Sequence, residues 1–253
     1  MKIIDFTIEI PKGKRSAEIH VVGDVHRGNK YFDEPLWDWY SKGSKNHLGF
    51  KTDKNVYVVC VGDLMETSLQ LSAGVQDQVE WIEDQYLWTK EWLTSIAEEG
   101  RLIGLAEGNH ERRASKNWIR TTRLLGKELG VPYSAGILVV NIKLIKGMAE
   151  RKYKLCFAHG KGWSRTVGGK FNACYRLNAI VGDADAYVIG HLHEKMSIVK
   201  RRYMNGKLKD VLYGITGAFL EYGGYGEESM YSPPAAGCLK LKLHCDIDRV
   251  SAR

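Results

Sequence analysis

The chain reads as an α/β protein of two packed mixed β-sheets flanked by helices, and two patterns predict it. Helical stretches alternate with apolar, β-branched runs early in the chain, and the C-terminal part is β-rich. A third observation ties the pattern to chemistry: five short clusters rich in metal-binding residue types sit where strands run into loops. With 253 residues, 44% of them hydrophobic, and no repeat or linker, one domain over residues 1–253 is expected, long enough to bury a core.

Taken in order, strands at 2–10 and 18–22 flank the turn Pro11-Lys12-Gly13-Lys14. Residues 27–54 form an aromatic and basic excursion with one helix around 35–40. The strongest helical periodicity runs over 70–99, where Val75, Val79, Ile82, Tyr86, Trp88, Trp92, Leu93 and Ile96 recur near helical spacing. Those tryptophans read as a core-facing stripe in preference to a base-stacking platform. A strand at 101–106 leads to a basic helix over 114–129, stopped by Gly130-Val131-Pro132. Strands follow at 137–145 and 153–158. Further on, 196–204 and 207–214 flank Asn205-Gly206, a type I′ hairpin signal, and two more strands fall near 215–222 and 237–247.

The five clusters are Asp24-Val25-His26, Gly62-Asp63, Gly108-Asn109-His110-Glu111, Ala158-His159-Gly160 and Gly190-His191-Leu192-His193. In an α/β protein ligands bind at the carboxyl ends of the strands, so five such ends can converge on one pocket however far apart they lie in sequence. Carboxylate, imidazole and amide oxygen without thiolate suit borderline divalent ions such as Mn, Fe or Zn better than calcium. A hydrolytic centre of two ions about 3.5–4 Å apart needs a bridging carboxylate, for which Asp63 is the natural choice. Two positive charges lower the pKa of a bridging water to roughly 7 or below, giving a hydroxide nucleophile without a covalent one from the protein. Singly, Asp-x-His, Gly-Asp and Asn-His also occur in ordinary turns; the conjunction carries the argument. His20, in an apolar run, His47, in a polar loop, and His244, on a C-terminal strand, are expected to bind no metal.

The ordered series GDVH (Gly23 to His26), GDL (Gly62 to Leu64), GNHE (Gly108 to Glu111), HG (His159, Gly160) and GHLH (Gly190 to His193) resembles the calcineurin-like metallophosphoesterase superfamily. The resemblance implies that superfamily's β-sandwich and two divalent metal ions, manganese first, with Fe, Zn or Mg as alternatives. It assigns Asp24, His26 and His193 to one ion, Asp63 to the bridge, and Asn109, His159 and His191 to the second. It assigns His110 to the scissile phosphate, where it stabilises charge or protonates the leaving oxygen. A carboxylate commonly orients that histidine, and Asp33, Asp53 and Glu66 are all candidates. After Gly62-Asp63 the chain reads Leu64-Met65-Glu66-Thr67-Ser68, unlike the Val-Asp-Arg-Gly type sequence of the phosphoprotein-phosphatase branch.

Formal charge is +7, from 37 Lys and Arg against 30 Asp and Glu, which favours polyanionic partners. Between His159 and His191, a segment anticipated as a loop, Lys161, Trp163, Arg165, Gly168-Gly169, Lys170, Phe171, Tyr175 and Arg176 mix cations, aromatics and glycines in the manner of a phosphodiester-binding surface. The substrate-contacting set is therefore expected to be Arg27, Arg112, Arg113, Arg165, Lys170 and Arg176. The expectation that follows is a phosphodiesterase, a nuclease with DNA as substrate, acting through the metal-bridging hydroxide. A phosphatase for small phosphorylated metabolites, nucleotides or phosphoproteins is the other enzyme reading, and a catalytically dead scaffold is disfavoured by the complete ligand set. No apolar stretch approaches 18 residues and no signal peptide is legible, so a soluble, cytoplasmic protein without membrane contact is expected. The five cysteines are odd in number, lack Cys-x-x-Cys spacing and are expected to be reduced.

Overall fold

The computed structural model describes residues 1–115, 119–162, 164–204 and 206–253. Among the described residues, twelve strands form two six-stranded mixed sheets. The first has β1 (Lys2–Glu9), β6 (Leu138–Lys146), β7 (Ala149–Ala158), β8 (Ala186–Ile189), β10 (Lys207–Ile215) and β9 (Met196–Met204) in that spatial order. The second runs β12 (Val250–Ala252), β11 (Leu239–His244), β2 (Ser16–Val22), β3 (Val56–Cys60), β4 (Leu102–Ala106) and β5 (Tyr133–Ser134). In the second sheet β2 to β5 are mutually parallel; in the first, β7, β8 and β10 are.

Alternation along these strands sorts the side chains onto two faces. Ile19, Val21, Val59, Val61 and Ile103 meet Leu138, Val140, Leu155, Phe157 and Val188 in the core between the sheets. The intervening positions face outward and are covered too. Val58, Cys60 and Leu105 pack beneath α1 (Glu34–Lys42), α2 (Ile82–Glu98) and α4 (Thr121–Glu128), while Cys156, Tyr187 and Tyr213 pack beneath α5 (Val167–Ile180). Burial on both faces explains why the inner strands read as unbroken apolar runs. Trp37, Trp88 and Trp92 meet edge-on or tilted at centroid distances of 4.9–6.4 Å, so this stripe is core. All five cysteines are free thiols, and no described helix is long and apolar enough to cross a membrane.

Several expected elements differ. The helix anticipated over 70–99 begins only at Ile82, because residues before it pair with the loop after β2: Lys30 N donates to Asp77 O (2.8 Å) and Val79 N to Gly28 O (2.8 Å). A 3-10 turn, Val75–Asp77, is all the helix that remains there. The basic helix over 114–129 is instead α3 (Asn109–Ser115) followed by α4, with 116–118 outside the described residues. No strand occupies 215–222 beyond the end of β10: Phe219 N donates to Asp24 O (3.0 Å), drawing the chain across the loop after β2 and leaving only isolated bridges. The segment between His159 and His191 is not a loop, since α5 and β8 fill much of it. Met204 pairs with Lys207 across the β9–β10 hairpin, whose Asn205 lies outside the described residues, as does Trp163.

Candidate metal centre

β2, β3, β4, β7 and β8 end at Val22, Cys60, Ala106, Ala158 and Ile189, and the five clusters begin within two residues of those ends. Their loops are tightly cross-tied. Val25 N and His26 N both donate to Asp63 O (2.8 and 3.0 Å), Asp24 N donates to Gly62 O (3.0 Å), and His191 N donates to both carboxylate oxygens of Asp24 (3.0 and 2.8 Å). Gly62 and Gly108 make the approach possible, because a β-carbon on Gly62 would strike the Gly108 backbone and one on Gly108 would strike the Asp63 and Glu111 carboxylates.

Glu111 is the knot of this arrangement. Fully buried, its carboxylate accepts from the backbone N–H groups of Asp63 (3.0 Å), Leu64 (2.6 Å), Met65 (3.3 Å) and Gly108 (3.1 Å). Burial and the neighbouring Asp63 carboxylate nevertheless push Glu111 up to about 7. Asp24, His26, Asp63, His191 and His193 have φ between 48° and 71°; among the described residues only Thr67 and Met230 are other non-glycine residues with positive φ. At about 1–3 kcal/mol each, such strain persists only where surroundings over-determine it, and it marks sites of function.

The side chains converge accordingly. Asp24, His26 and His193 place one ligand atom each within 4.8 Å of one another, and so do Asp63, His159 and His191. A third such group, His26, Asp63 and His110, joins the two. Asn109 Oδ1 lies 2.7 Å from His159 Nε2, so all seven residues expected to be ligands gather in one place.

Tautomers follow from the outer hydrogen bonds. His159 Nδ1 donates to Val61 O (2.9 Å), which turns the Nε2 lone pair toward Asn109 Oδ1 and toward Asp63 Oδ2 at 3.1 Å. His26 Nδ1 is 3.0 Å from the Glu66 carboxylate, and its Nε2 faces His193 Nε2 at 3.2 Å. His191 Nε2 donates to Gly162 O (2.9 Å), leaving the Nδ1 lone pair free. Lone pairs facing one another inside a buried pocket require a positive charge between them, either a proton or a metal ion, and this mixed oxygen and nitrogen set fits divalent ions. Without ions the proton takes that place: burial opposes charging His159, but Asp63 and Asp24 outweigh it and raise its pKa to about 9. Burial likewise opposes ionising Asp63, yet His159, His110 and His26 hold it well below the usual carboxylate range.

Of the three carboxylates that could orient His110, Glu66 is the one in place. His110 Nδ1 donates to Glu66 O (2.7 Å) and lies 3.3 Å from Oε1, while the same buried carboxylate serves His26 and accepts from Ser68 Oγ (2.8 Å) and Asn29 Nδ2 (3.2 Å). Asp33 instead caps α1 at Leu36 N, and Asp53 accepts from Asn55 N. Burial disfavours the charged His110 ring, but Asp63 and Glu66 reverse that and its pKa is raised. The double role of Glu66 and the knot at Glu111 were not legible beforehand; Glu66 three residues after Asp63, and Glu111 directly after His110, were the only signals.

Around the centre lies a cavity of about 400 Å³ that includes Arg113, Arg165 and Lys170 in its wall. A second recess, sharing Asn109, Gly162, Ser164, His191 and Leu192 with the first, is lined by Arg112, Lys161 and Arg176. Arg27 lines neither. Its guanidinium is held by Glu80 (2.6 Å) and lies over the Trp88 and Phe32 rings at 4.9 and 5.3 Å. Lys170 Nζ is paired with Glu194 (2.7 Å), and Arg165 Nη2 donates to Ser229 O (3.1 Å). His20 is paired with Glu18, His47 stacks on Trp39, and His244 meets Ser251 Oγ.

A family model described as calcineurin-like phosphoesterase matches residues 17–195, a span that contains all five clusters. The chain belongs to the calcineurin-like phosphoesterase family. It is therefore a metal-dependent phosphoester hydrolase, and the family implies two divalent metal ions, with which the gathered Asp and His side chains are compatible. No curated protein matches this phosphoesterase.

Proposed function

We propose that this phosphoesterase hydrolyses phosphodiester bonds in nucleic acid, with DNA as the substrate. The observation that carries the reading is the two-sided opening of the centre. A phosphodiester has a substituent on each side of the phosphorus, and the two recesses meet at Asn109 and His191 while leaving room on either flank. One flank carries Arg112, Lys161 and Arg176, suited to neighbouring phosphates. A monoester would leave one flank unused.

Asp24, His26 and His193 would hold one ion, Asn109, His159 and His191 the other, with Asp63 shared. When bound, two divalent ions, manganese first among those the ligands suit, supply Lewis acidity and acidify a water for attack on phosphorus. The protein's own part is orientation and proton handling. Glu66 O holds the His110 Nδ1–H, and the ring, 14% exposed, borders the cavity with Nε2 3.9 Å from Asp63 Oδ2, where it would carry a proton to the leaving oxygen. Arg113 lies against the same ring, with nitrogens at 3.0 and 3.1 Å, and adds positive charge where the phosphate develops negative charge.

The test sets manganese-loaded protein against single-stranded DNA, duplex DNA, a bis-nitrophenyl phosphodiester and a nitrophenyl monoester side by side. The reading expects DNA and diester hydrolysis, with DNA binding that weakens as salt rises. A preference for the monoester together with salt-independent or absent DNA binding would assign the site to small phosphate monoesters instead.

A further inference from the structure

The 400 Å³ cavity has a wall that the metal centre does not need. Tyr31, Tyr222, Tyr225 and Tyr231 line it beside His26, Asp63 and His110. Three of the four come from residues 220–234, outside the 17–195 span that matches the family.

The wall is built to hold its shape. Glu221 N donates to Tyr31 O (2.8 Å), Tyr225 N donates to the buried Asp77 carboxylate (3.0 Å), Tyr222 Oη donates to Tyr231 O (3.0 Å), and Arg165 pins Ser229 from the opposite side. A side chain at Gly223 would collide with the Tyr31 ring and one at Gly224, whose φ is +54°, with Asp77. That glycine pair lets the segment lie flat against Tyr31. Yet Tyr222 and Tyr225 remain 44% and 41% exposed, and the Tyr225 and Tyr231 rings, 6.2 Å apart and tilted by 47°, do not cover each other. The Tyr222 and Tyr225 rings, exposed on a pinned segment beside a phosphate-handling centre, suit a planar ligand, since little ordering entropy remains to be lost on binding. Arg165, 5.4 Å from the centre of the Tyr231 ring, adds a cation at the same wall.

We infer that this wall is a nucleobase subsite taking one unstacked base of the strand whose phosphate lies at the metal centre, an inference that rests on the nucleic-acid reading above. A base within a duplex stack presents no free face to the tyrosines, so the enzyme acts on single-stranded or frayed nucleic acid.

The experiment uses manganese-loaded full-length protein, the dinucleotide TpT, and two TpT analogues in which one or the other base is replaced by hydrogen. Wild-type protein should lose about tenfold in kcat/KM on one of the two abasic analogues, the scale of a single base–aromatic stack. In Tyr225→Ala the difference between TpT and that analogue should shrink to about twofold or less, and Tyr225→Phe, which keeps the ring, should retain it. Cleavage of TpT and both analogues at equal rates by wild-type protein would remove the subsite and leave the phosphodiesterase intact. Discrimination that persists in Tyr225→Ala would also overturn it. If the bis-nitrophenyl diester is cleaved and none of the dinucleotides is, the nucleic-acid reading itself fails.

Discussion

The two halves of the cavity are held by opposite means. On the metal side, ligands lie on strand-end loops that are buried, cross-tied through Glu111 and Glu66, and strained at five positions. On the tyrosine side, the wall is an exposed segment pinned at a few points, notably Asp77, Tyr31 and Arg165, with no strand of its own. Chemistry that needs fixed charges sits on the strand-end framework, and the proposed base subsite sits on a separate segment that contributes none of the residues gathered at the metal centre.

The sharpest way to break that comparison is to remove the carboxylate that would bridge the two ions. Asp63→Ala should abolish detectable turnover and reduce bound metal while the protein still melts cooperatively; two ions per chain with normal turnover would remove the site assignment. His110→Ala separates chemistry from binding on the same side: metal content should stay near normal while turnover falls roughly 10²-fold. Loss of metal in that variant would make His110 a ligand. Glu66→Ala keeps the backbone carbonyl that holds His110 Nδ1 but removes the carboxylate bonded to His26 and beside His110, so metal affinity should drop roughly 10–100-fold and activity with it. A variant that loses turnover alone would mean that His26 needs no such support.

A smaller effect concerns pH. The folded pKa of His159, about 9, exceeds the ordinary histidine value, so its contribution to the stability of metal-free protein is full below about pH 6.5 and is lost as pH rises through 9. Metal-stripped protein should therefore melt roughly 5 °C lower at pH 9 than at pH 6.5, allowing about 2–4 °C per kcal/mol for a chain of this size. Metal-loaded protein should show the reverse trend, because ions must displace that proton. Parallel melting curves with and without ions would show that the histidine cluster is not a metal site.

The contrast also explains what could be read beforehand. Asp24, His26, Asp63, His159 and His191 were legible because each follows directly on an apolar run, and strand ends converge in any parallel sheet. The choice of Glu66 over Asp33 and Asp53 was not, since it depends on where the loop after Asp63 turns back, and Asp33 and Asp53 are occupied by local backbone donors. The surroundings of Arg27 were not legible either, since Glu80 and Trp88 reach it from distant sequence. The tyrosine wall was hidden behind an expected strand at 215–222: the apolar spacing there was real, but Phe219 bonds to Asp24 O in place of a strand neighbour.

Elemental analysis of purified protein, paired with activity as chelator-treated protein is refilled with manganese, tests the two-ion centre most directly. The geometry predicts saturation at two ions per chain, with activity on the bis-nitrophenyl diester absent from the stripped protein and restored on refilling. Saturation at one ion, or full activity in the stripped protein, would contradict it.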